Sequence, residues 1–119
     1  MDVNSIERIV PDKLTSDSAD QETLNLHVER YKFAAKHLRG PRVLDIACGV
    51  GYGSEILSLY QPGNAGAKEF YGVDCDSVAI EYARRIYGEK NKSLKFYTAD
   101  AIEYKPDKKF NTIVTLETI

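Results

Sequence analysis

The chain has 119 residues, room for one compact domain, and its 43% hydrophobic and 29% charged residues are typical of a globular protein. Its net charge of -2 provides no basic field, so we do not expect DNA or RNA as a partner. No apolar run approaches the roughly 20 residues that span a bilayer, and Cys48 and Cys75 form neither a disulfide framework nor a zinc pattern. We therefore expect a cytoplasmic protein without a membrane segment or a metal site.

The first predicted element is a long helix. Residues 1–17 are a polar lead-in, and we expect the domain over residues 18–119. The helix is predicted to begin near Asp17 or Ser18 and to end at Gly40 and Pro41, because apolar side chains recur at spacings of three and four. These side chains are Leu24, Val28, Tyr31, Ala35 and Leu38.

Beyond the helix, strands and helices alternate. Val43–Ala47 is a short apolar run, as expected of a strand buried on both faces. A glycine-rich turn and a helix over residues 55–60 follow. The later elements are strands over 69–74, 94–98 and 112–116, and a helix from Asp76 or Ser77 to Tyr87. Alternating strands and helices predict an α/β fold, a Rossmann-like partial parallel sheet with flanking helices.

Three features lie at the carboxyl ends of predicted strands, where open α/β sheets bind ligands. The glycine loop follows the first strand, Asp74 ends the second and Asp100 follows the third. Asp74 lies 25 residues after Gly49, where a carboxylate can accept hydrogen bonds from both ribose hydroxyls of a nucleoside. The structural alternatives are a tight turn for the loop, a helix cap for Asp74 and a turn residue for Asp100.

The loop favours S-adenosylmethionine over a dinucleotide. Dinucleotide loops read G-x-G-x-x-G, and here Ser54 takes the place of the last glycine. Asp45, four residues before Gly49, is unfavourable beside a pyrophosphate but suits an ammonium and a sulfonium. The NAD-binding half of an oxidoreductase is therefore the less favoured alternative.

Four segments resemble, in order, the motifs of class I S-adenosylmethionine-dependent methyltransferases. They are Val43–Gly53, Tyr71–Asp74, Ala99–Ala101 and Phe110–Glu117. The resemblance implies the strand order 3-2-1-4 and an extra N-terminal helix. Residues 7–11 and 30–34 resemble, more narrowly, the type 11 group of small-molecule and glycan-associated methyltransferases. Ala47 and Asn111 depart from the family's usual glycine and aspartate.

The resemblance also implies roles for individual residues. Gly49 and Gly51 would approach the methionine part of the cofactor, Asp74 would hold the ribose, and Asp100 would accept from the adenine amino group. For Asp45, a purely structural hydrogen bond to loop amides is an equal alternative to an ammonium contact, and Cys75 is nearly as consistent with a core thiol. The implied cofactor-binding residues are Asp45, Ala47, Cys48, Gly49, Gly51, Asp74, Cys75, Asp100, Ala101 and Leu116.

A few further side chains have weaker assignments. Ile102 would add an apolar contact to the adenine, and Glu117 is expected to be a solvent charge rather than a catalytic group. Tyr52 is consistent with a cation–π contact to the sulfonium or with plain packing. The other side chains are Arg30 and Tyr31, which could cover the cofactor carboxylate, and His27 and His37, which are expected at the surface.

The family fold continues with three further strands, whereas this sequence ends at Ile119. We therefore expect a truncated cofactor-binding half and assign no catalytic residue. The expected function is methyl transfer to a small-molecule or glycan-related acceptor, and the main alternative is a non-catalytic module that binds S-adenosylmethionine or a nucleoside. A bare outer edge on the fourth strand predicts a homodimer or higher oligomer.

Overall fold

The fold is a four-stranded parallel sheet with helices packed on one face. The computed structural model describes residues 18–100, 104 and 109–116, and the predicted lead-in lies outside them. The strand order is β3-β2-β1-β4. The elements are α1 (Ser18–Ala35), β1 (Arg42–Ile46), α2 (Tyr52–Tyr60), β2 (Glu69–Asp74), α3 (Ser77–Ala83), β3 (Leu94–Thr98) and β4 (Thr112–Thr115). The predicted α/β fold and its 3-2-1-4 strand order are confirmed.

The two faces of the sheet carry two hydrophobic cores, because successive side chains of a strand point to opposite faces. In β2, Phe70 belongs to the larger core, to which α1, α2 and α3 contribute side chains, and Tyr71 belongs to a smaller core on the other face. Val43 and Leu44 of β1 divide in the same way. The sheet is therefore buried on both faces at its centre, as the apolar run in β1 predicted.

Only the later part of the apolar face predicted for α1 is buried, Leu24 and Val28 are partly buried, and the helix ends earlier than predicted. Tyr31, Ala35 and Leu38 are buried in the larger core. The helix ends at Ala35, five residues before the predicted end at Gly40. The backbone leaves the helix because Arg39 pairs with a side chain of β4: its N–H donates to Thr112 Oγ1 at 2.9 Å, and that hydroxyl donates to the Arg39 carbonyl at 2.7 Å.

α3 begins and ends with specific backbone interactions. Its cap is Asp76, one of the two predicted residues, whose Oδ1 accepts from Val78 N at 2.9 Å and from Ala79 N at 3.3 Å. After Ala83 the helix widens into a π-helical turn, Arg84–Gly88. No helix within the described ranges is long and apolar enough to cross a membrane.

Candidate functional site

A sharply turning loop joins β1 to α2 at the carboxyl end of the sheet. Three of its residues have left-handed backbone conformations: Ala47 (φ 61°), Gly49 (φ 59°) and Gly51 (φ 97°). The turn at Ala47 ends β1 at Ile46, one residue earlier than predicted. Gly51 forms the N-cap of α2, so that helix begins at Tyr52 and not at Glu55. Left-handed backbone conformations therefore explain the glycines at positions 49 and 51.

The two glycines face different surroundings. A Cβ atom built on Gly49 meets no heavy atom within 4 Å, so the space above this residue is open. A Cβ atom on Gly51 would lie 2.7 Å from the Cβ atom of Ala83 in α3. Gly51 is thus required by packing within the protein, whereas the partly buried Gly49 has open space above it that a ligand can enter.

Asp74, at the end of β2, links the loop to the start of α3. Its Oδ2 accepts from the backbone N–H of Gly49 at 2.9 Å, and its Oδ1 accepts from the N–H of Asp76, also at 2.9 Å. Asp76, and not Asp74, provides the side-chain cap of α3. Each carboxylate oxygen accepts more than one hydrogen bond, so Asp74 keeps capacity for further donors. The side chain is only partly buried, which leaves that capacity accessible.

Asp45 lies beneath the loop and is 1% exposed. Its Oδ2 accepts from Ser54 Oγ at 2.8 Å, and its Oδ1 accepts from the Tyr31 hydroxyl at 3.2 Å. The structural alternative for Asp45 named loop amides as the donors, whereas the donors in the fold are the hydroxyls of two side chains. Burial raises the pKa of Asp45 to about 7, the hydrogen bonds from Ser54 and Tyr31 oppose that rise, and Asp74 adds to it.

α1 holds the loop from above through aromatic side chains. The rings of Tyr31 and Tyr52 meet edge to face with centroids 6.2 Å apart, and His27 Nδ1 lies 2.9 Å from the Tyr52 hydroxyl. A Cβ atom on Gly53 would lie 2.0 Å from Cζ of Tyr31, so only glycine fits beneath the ring. Burial, and then the nearby Arg30 charge, lower the pKa of His27.

The expectation that both histidines lie at the surface is wrong for His27. It is half-buried by the contact with Tyr52, whereas His37 is exposed. The hydrogen bond from Ser54 to Asp45 was not predicted. The only available signal was the serine in place of the third glycine of a dinucleotide loop, and that signal indicated a cofactor preference, not a hydrogen bond.

The other predicted site residues differ in how far they are buried. Cys48 is buried at 4% exposure, and burial raises the pKa of its thiol. Cys75 is exposed, which excludes the core-thiol interpretation. Ala47 and Asp100 are exposed, and Leu116 packs against the larger core. Ala101, Ile102 and Glu117 lie outside the described residues.

A separate groove follows the outer edge of β3. It has a volume of about 300 Å³, and its lining includes Arg84, Lys92, Lys95 and Tyr97. Arg84 Nε donates to the Phe96 carbonyl at 2.8 Å and so occupies an acceptor of this strand. None of the predicted site residues lines this groove, which distinguishes it from the cluster at the carboxyl ends of β1 and β2.

Comparisons with known proteins point to one family. A family model described as "Methyltransferase domain" matches residues 43–119. No curated protein sequence matches the chain. Among solved structures, the YcgJ protein of Bacillus subtilis is 26% identical with a TM-score of 0.60, over 76% of this chain and 37% of that protein.

Two further structures extend the comparison. A S-adenosylmethionine-dependent methyltransferase from Thiobacillus denitrificans, in complex with S-adenosyl-L-homocysteine, is 25% identical with a TM-score of 0.57, over 77% of this chain and 36% of that one. The Trypanosoma brucei PRMT1 enzyme-prozyme complex is 24% identical with a TM-score of 0.61, over 76% of this chain and 29% of that one. At this identity the comparison shows the fold alone. This chain thus spans well under half the length of these proteins. Because the family model covers more than half of this chain and the sheet has the predicted order, the chain belongs to the methyltransferase-domain family of class I S-adenosylmethionine-dependent methyltransferases.

Proposed function

We propose that this chain provides the cofactor-binding part of a methyltransferase that acts on a small-molecule or glycan-related acceptor. One observation carries the proposal: the Gly49 N–H donates to Asp74 at 2.9 Å, with open space above Gly49. This contact joins the loop after β1 to the acid after β2. In an open α/β sheet the crevice outside these strand ends is where ligands bind.

The described residues fit S-adenosylmethionine. The free acceptor capacity of Asp74 suits two ribose hydroxyls, and the open space above Gly49 suits the methionine part. Cys75 and Asp100 are exposed after β2 and β3, where we assign them to the adenine. We also retain the remaining implied residues as parts of the site: Asp45, Ala47, Cys48, Gly51, Ala101 and Leu116.

When bound, S-adenosylmethionine supplies a methyl group on an already activated sulfonium. The residues of this chain bind and orient the donor, and orientation of donor and acceptor is a large part of such catalysis. A general base is needed only for acceptors that must lose a proton, and we assign none.

A dinucleotide fits the loop less well. Ser54, in place of the last glycine, is fully buried and donates to Asp45, so a carboxylate lies beneath the position of a pyrophosphate. Calorimetric titration of the chain with S-adenosylhomocysteine and with NAD tests this choice. We expect S-adenosylhomocysteine to bind at least about tenfold more tightly, a difference of about 1.4 kcal/mol. Tighter binding of NAD would contradict the proposal.

Methyl transfer is a separate step to test. The chain spans 37% and 36% of the two related proteins compared above, so cofactor binding by this chain and transfer to an acceptor need separate assays. A methyl-transfer assay on the complete gene product, with Asp74→Ala as the binding-deficient control, distinguishes an enzyme from a non-catalytic module. Retained cofactor binding without transfer to small-molecule and glycan acceptors would favour the module.

We also propose a cytoplasmic location and self-association through β4. The edge strand β4 pairs with β1 among the described residues, and Ile113 is 59% exposed on it. Exposed strand edges recruit other chains. Light scattering over a wide concentration range should show a mass that increases toward a dimer, and a constant monomer mass would contradict this.

A further inference from the structure

A patch of positive charge lies where α3 leads into β3, although the chain as a whole is acidic. Residues 84–95 contain five basic side chains and one acidic side chain, so this segment carries a net charge of +4 in a chain of net charge -2. Three of the basic side chains line the groove along β3: Arg84, Lys92 and Lys95. Glu89 is the one acid among the described residues that line it, which gives the lining a formal charge of +2.

The groove also offers apolar and aromatic surface. Its volume of about 300 Å³ is that of a pocket for a small ligand. Leu94 and Phe96 line it and are each 3% exposed, whereas the lining ring of Tyr97 is 41% exposed. Tyr97 stacks on Tyr71 of β2 with ring centroids 6.0 Å apart, which restrains the exposed ring. A ligand that fits this lining combines a negative group with an apolar or aromatic part.

Arg84 is held in place by the backbone of β3. Its Nε donates to the Phe96 carbonyl at 2.8 Å, a bond that uses only one of the five N–H donors of a guanidinium. A guanidinium with a fixed orientation can donate two parallel hydrogen bonds to a phosphate or a carboxylate. Arg84 is therefore oriented in advance for an anion in the groove.

The same hydrogen bond disfavours an added β-strand as the occupant. The ladder with β2 uses the carbonyl of Ser93 and the N–H of Ala99. Backbone groups alternate in direction along a strand, so the N–H and C=O groups of Phe96 point away from β2. An added strand needs that carbonyl as an acceptor, and Arg84 already occupies it. The Phe96 N–H and the three cations are all donors, which favours a ligand rich in acceptors.

We propose that the groove along β3 binds a small aromatic phosphate monoester, such as a nucleoside monophosphate. A phosphate monoester carries a charge of about -1.5 to -2 near pH 7, which matches the formal charge of +2 on the lining. A single carboxylate neutralises only half of that charge. The exposed ring of Tyr97 provides a surface on which the aromatic part of the ligand stacks. This inference goes beyond the proposed function and is independent of it, because the groove and the crevice assigned to the cofactor share no residue.

The test uses uridine monophosphate, which lacks the adenine that the cofactor crevice is expected to hold. Added to the ¹⁵N-labelled chain at low salt, it should shift the amide signals of residues 92–97, and its affinity should fall as the salt concentration rises. Uridine at the same concentration should leave these signals unchanged. Saturating S-adenosylhomocysteine should not displace the nucleotide. No shift at β3 in millimolar nucleotide, or shifts confined to the glycine loop, would overturn the inference.

Inorganic phosphate separates a ligand site from a simple anion site. It should shift the same signals with at least about tenfold weaker affinity than uridine monophosphate, because it has no ring to stack on Tyr97. Equal affinities would show that the groove recognises phosphate alone and would contradict the aromatic part of the proposal.

Variants test the contribution of each cation. Lys92→Gln and Arg84→Gln should each weaken binding of uridine monophosphate about three- to tenfold through loss of a charge-assisted contact. Lys90→Gln is the matched control, because this exposed lysine loses the same charge two positions away and does not line the groove. Arg84→Lys retains the charge without the Nε hydrogen bond and should also bind more weakly. Equal losses in Lys90→Gln and Lys92→Gln would show a general field of positive charge and not a site.

Larger partners are outcomes of the same titration. If a short oligouridine or an acidic peptide shifts the β3 signals while uridine monophosphate does not, the groove is a surface for that macromolecule and the proposal is wrong. The wild-type titrations decide even where a variant does not fold, because they require no substitution.

Discussion

The hydroxyl of Tyr31 donates to Oδ1 of Asp45 at 3.2 Å and thereby joins the N-terminal helix to the first strand of the sheet. The same tyrosine ring covers Gly53 at the start of α2. The contact is buried, and it places α1 directly over the loop that we assign to the cofactor. The helix before β1 is therefore part of the candidate site and not only a cover for the core.

Gly53→Ala should destabilise the fold strongly. The added methyl would lie 2.0 Å from Cζ of Tyr31, so the ring and α1 must move. Overpacking of this kind costs roughly 1–3 kcal/mol and sometimes more, which urea unfolding measures. Gly63→Ala is the matched control, because a Cβ atom there meets nothing within 4 Å. Equal stability of the two variants would show that Tyr31 does not pack against Gly53.

Asp45 should make the free energy of unfolding depend on pH. Its pKa is raised to about 7 in the fold from an ordinary value of 3.8, so the folded chain holds the proton more tightly than the unfolded chain. Stability from this group is therefore greatest below pH 4 and is lost as the pH rises to 7. The loss is at most about 4 kcal/mol, at roughly 1.4 kcal/mol per pH unit.

Asp45→Asn should remove the pH-dependent contribution of this carboxyl to the free energy of unfolding. Urea unfolding at pH 5 and pH 8 should show the variant gaining stability relative to the wild type at the higher pH. Glu81→Gln, at an exposed position of α3, should follow the wild-type trend. Parallel profiles for Asp45→Asn and the wild type would contradict a raised pKa at Asp45.

Asp74→Ala should weaken cofactor binding about 10- to 100-fold, because hydrogen bonds to a charged group contribute roughly 1.5–3 kcal/mol. The matched variant is Asp76→Ala, which removes the helix cap two residues later. It should reduce stability by about 1 kcal/mol and leave the affinity for S-adenosylhomocysteine unchanged. A larger loss of affinity in Asp76→Ala than in Asp74→Ala would reverse the assignment.

The two cysteines should react very differently with a thiol reagent. Cys75 is exposed, whereas Cys48 is buried and its thiol has a raised pKa. A chromogenic disulfide reagent should therefore label one thiol per folded chain, and Cys75→Ser should remove that reaction. S-adenosylhomocysteine should slow the labelling if Cys75 lies beside the adenine. Labelling at an unchanged rate in saturating ligand would remove Cys75 from the site.

The strands were the most predictable part of the fold. β2 and β3 have the predicted bounds, Glu69–Asp74 and Leu94–Thr98. β2 is an apolar run that is buried along most of its length, whereas β3, at the edge of the sheet, contains Lys95 and ends in two exposed residues. β1 was displaced by one residue, because Ala47 adopts a left-handed conformation that its small side chain does not reveal in the sequence.

Helix ends were less predictable, because contacts distant in sequence determine them. α1 stops at Ala35 since Arg39 pairs with Thr112, 73 positions away. The π-helical turn after α3 coincides with the Arg84 hydrogen bond to Phe96. Local propensity carries no information about either partner.

The sequence predicted which residues of the candidate site lie at strand ends. It did not predict the hydrogen bonds between their side chains. The spacing of Asp74 from the glycine loop predicted their proximity, and the two are joined by a hydrogen bond. The pairing of Asp45 with Tyr31 and Ser54 spans three elements. Their separations match no sequence motif, so only the packed fold reveals the network.

If the glycine loop and Asp74 form one cofactor site, adding S-adenosylhomocysteine to the ¹⁵N-labelled chain changes the backbone amide chemical shifts around both. We predict that the largest changes occur at Gly49 and Asp76, whose N–H groups donate to Asp74, and at Cys75, which lies between Asp74 and Asp76 in the sequence. Changes confined to the groove along β3, or no changes at saturating ligand, would contradict the account.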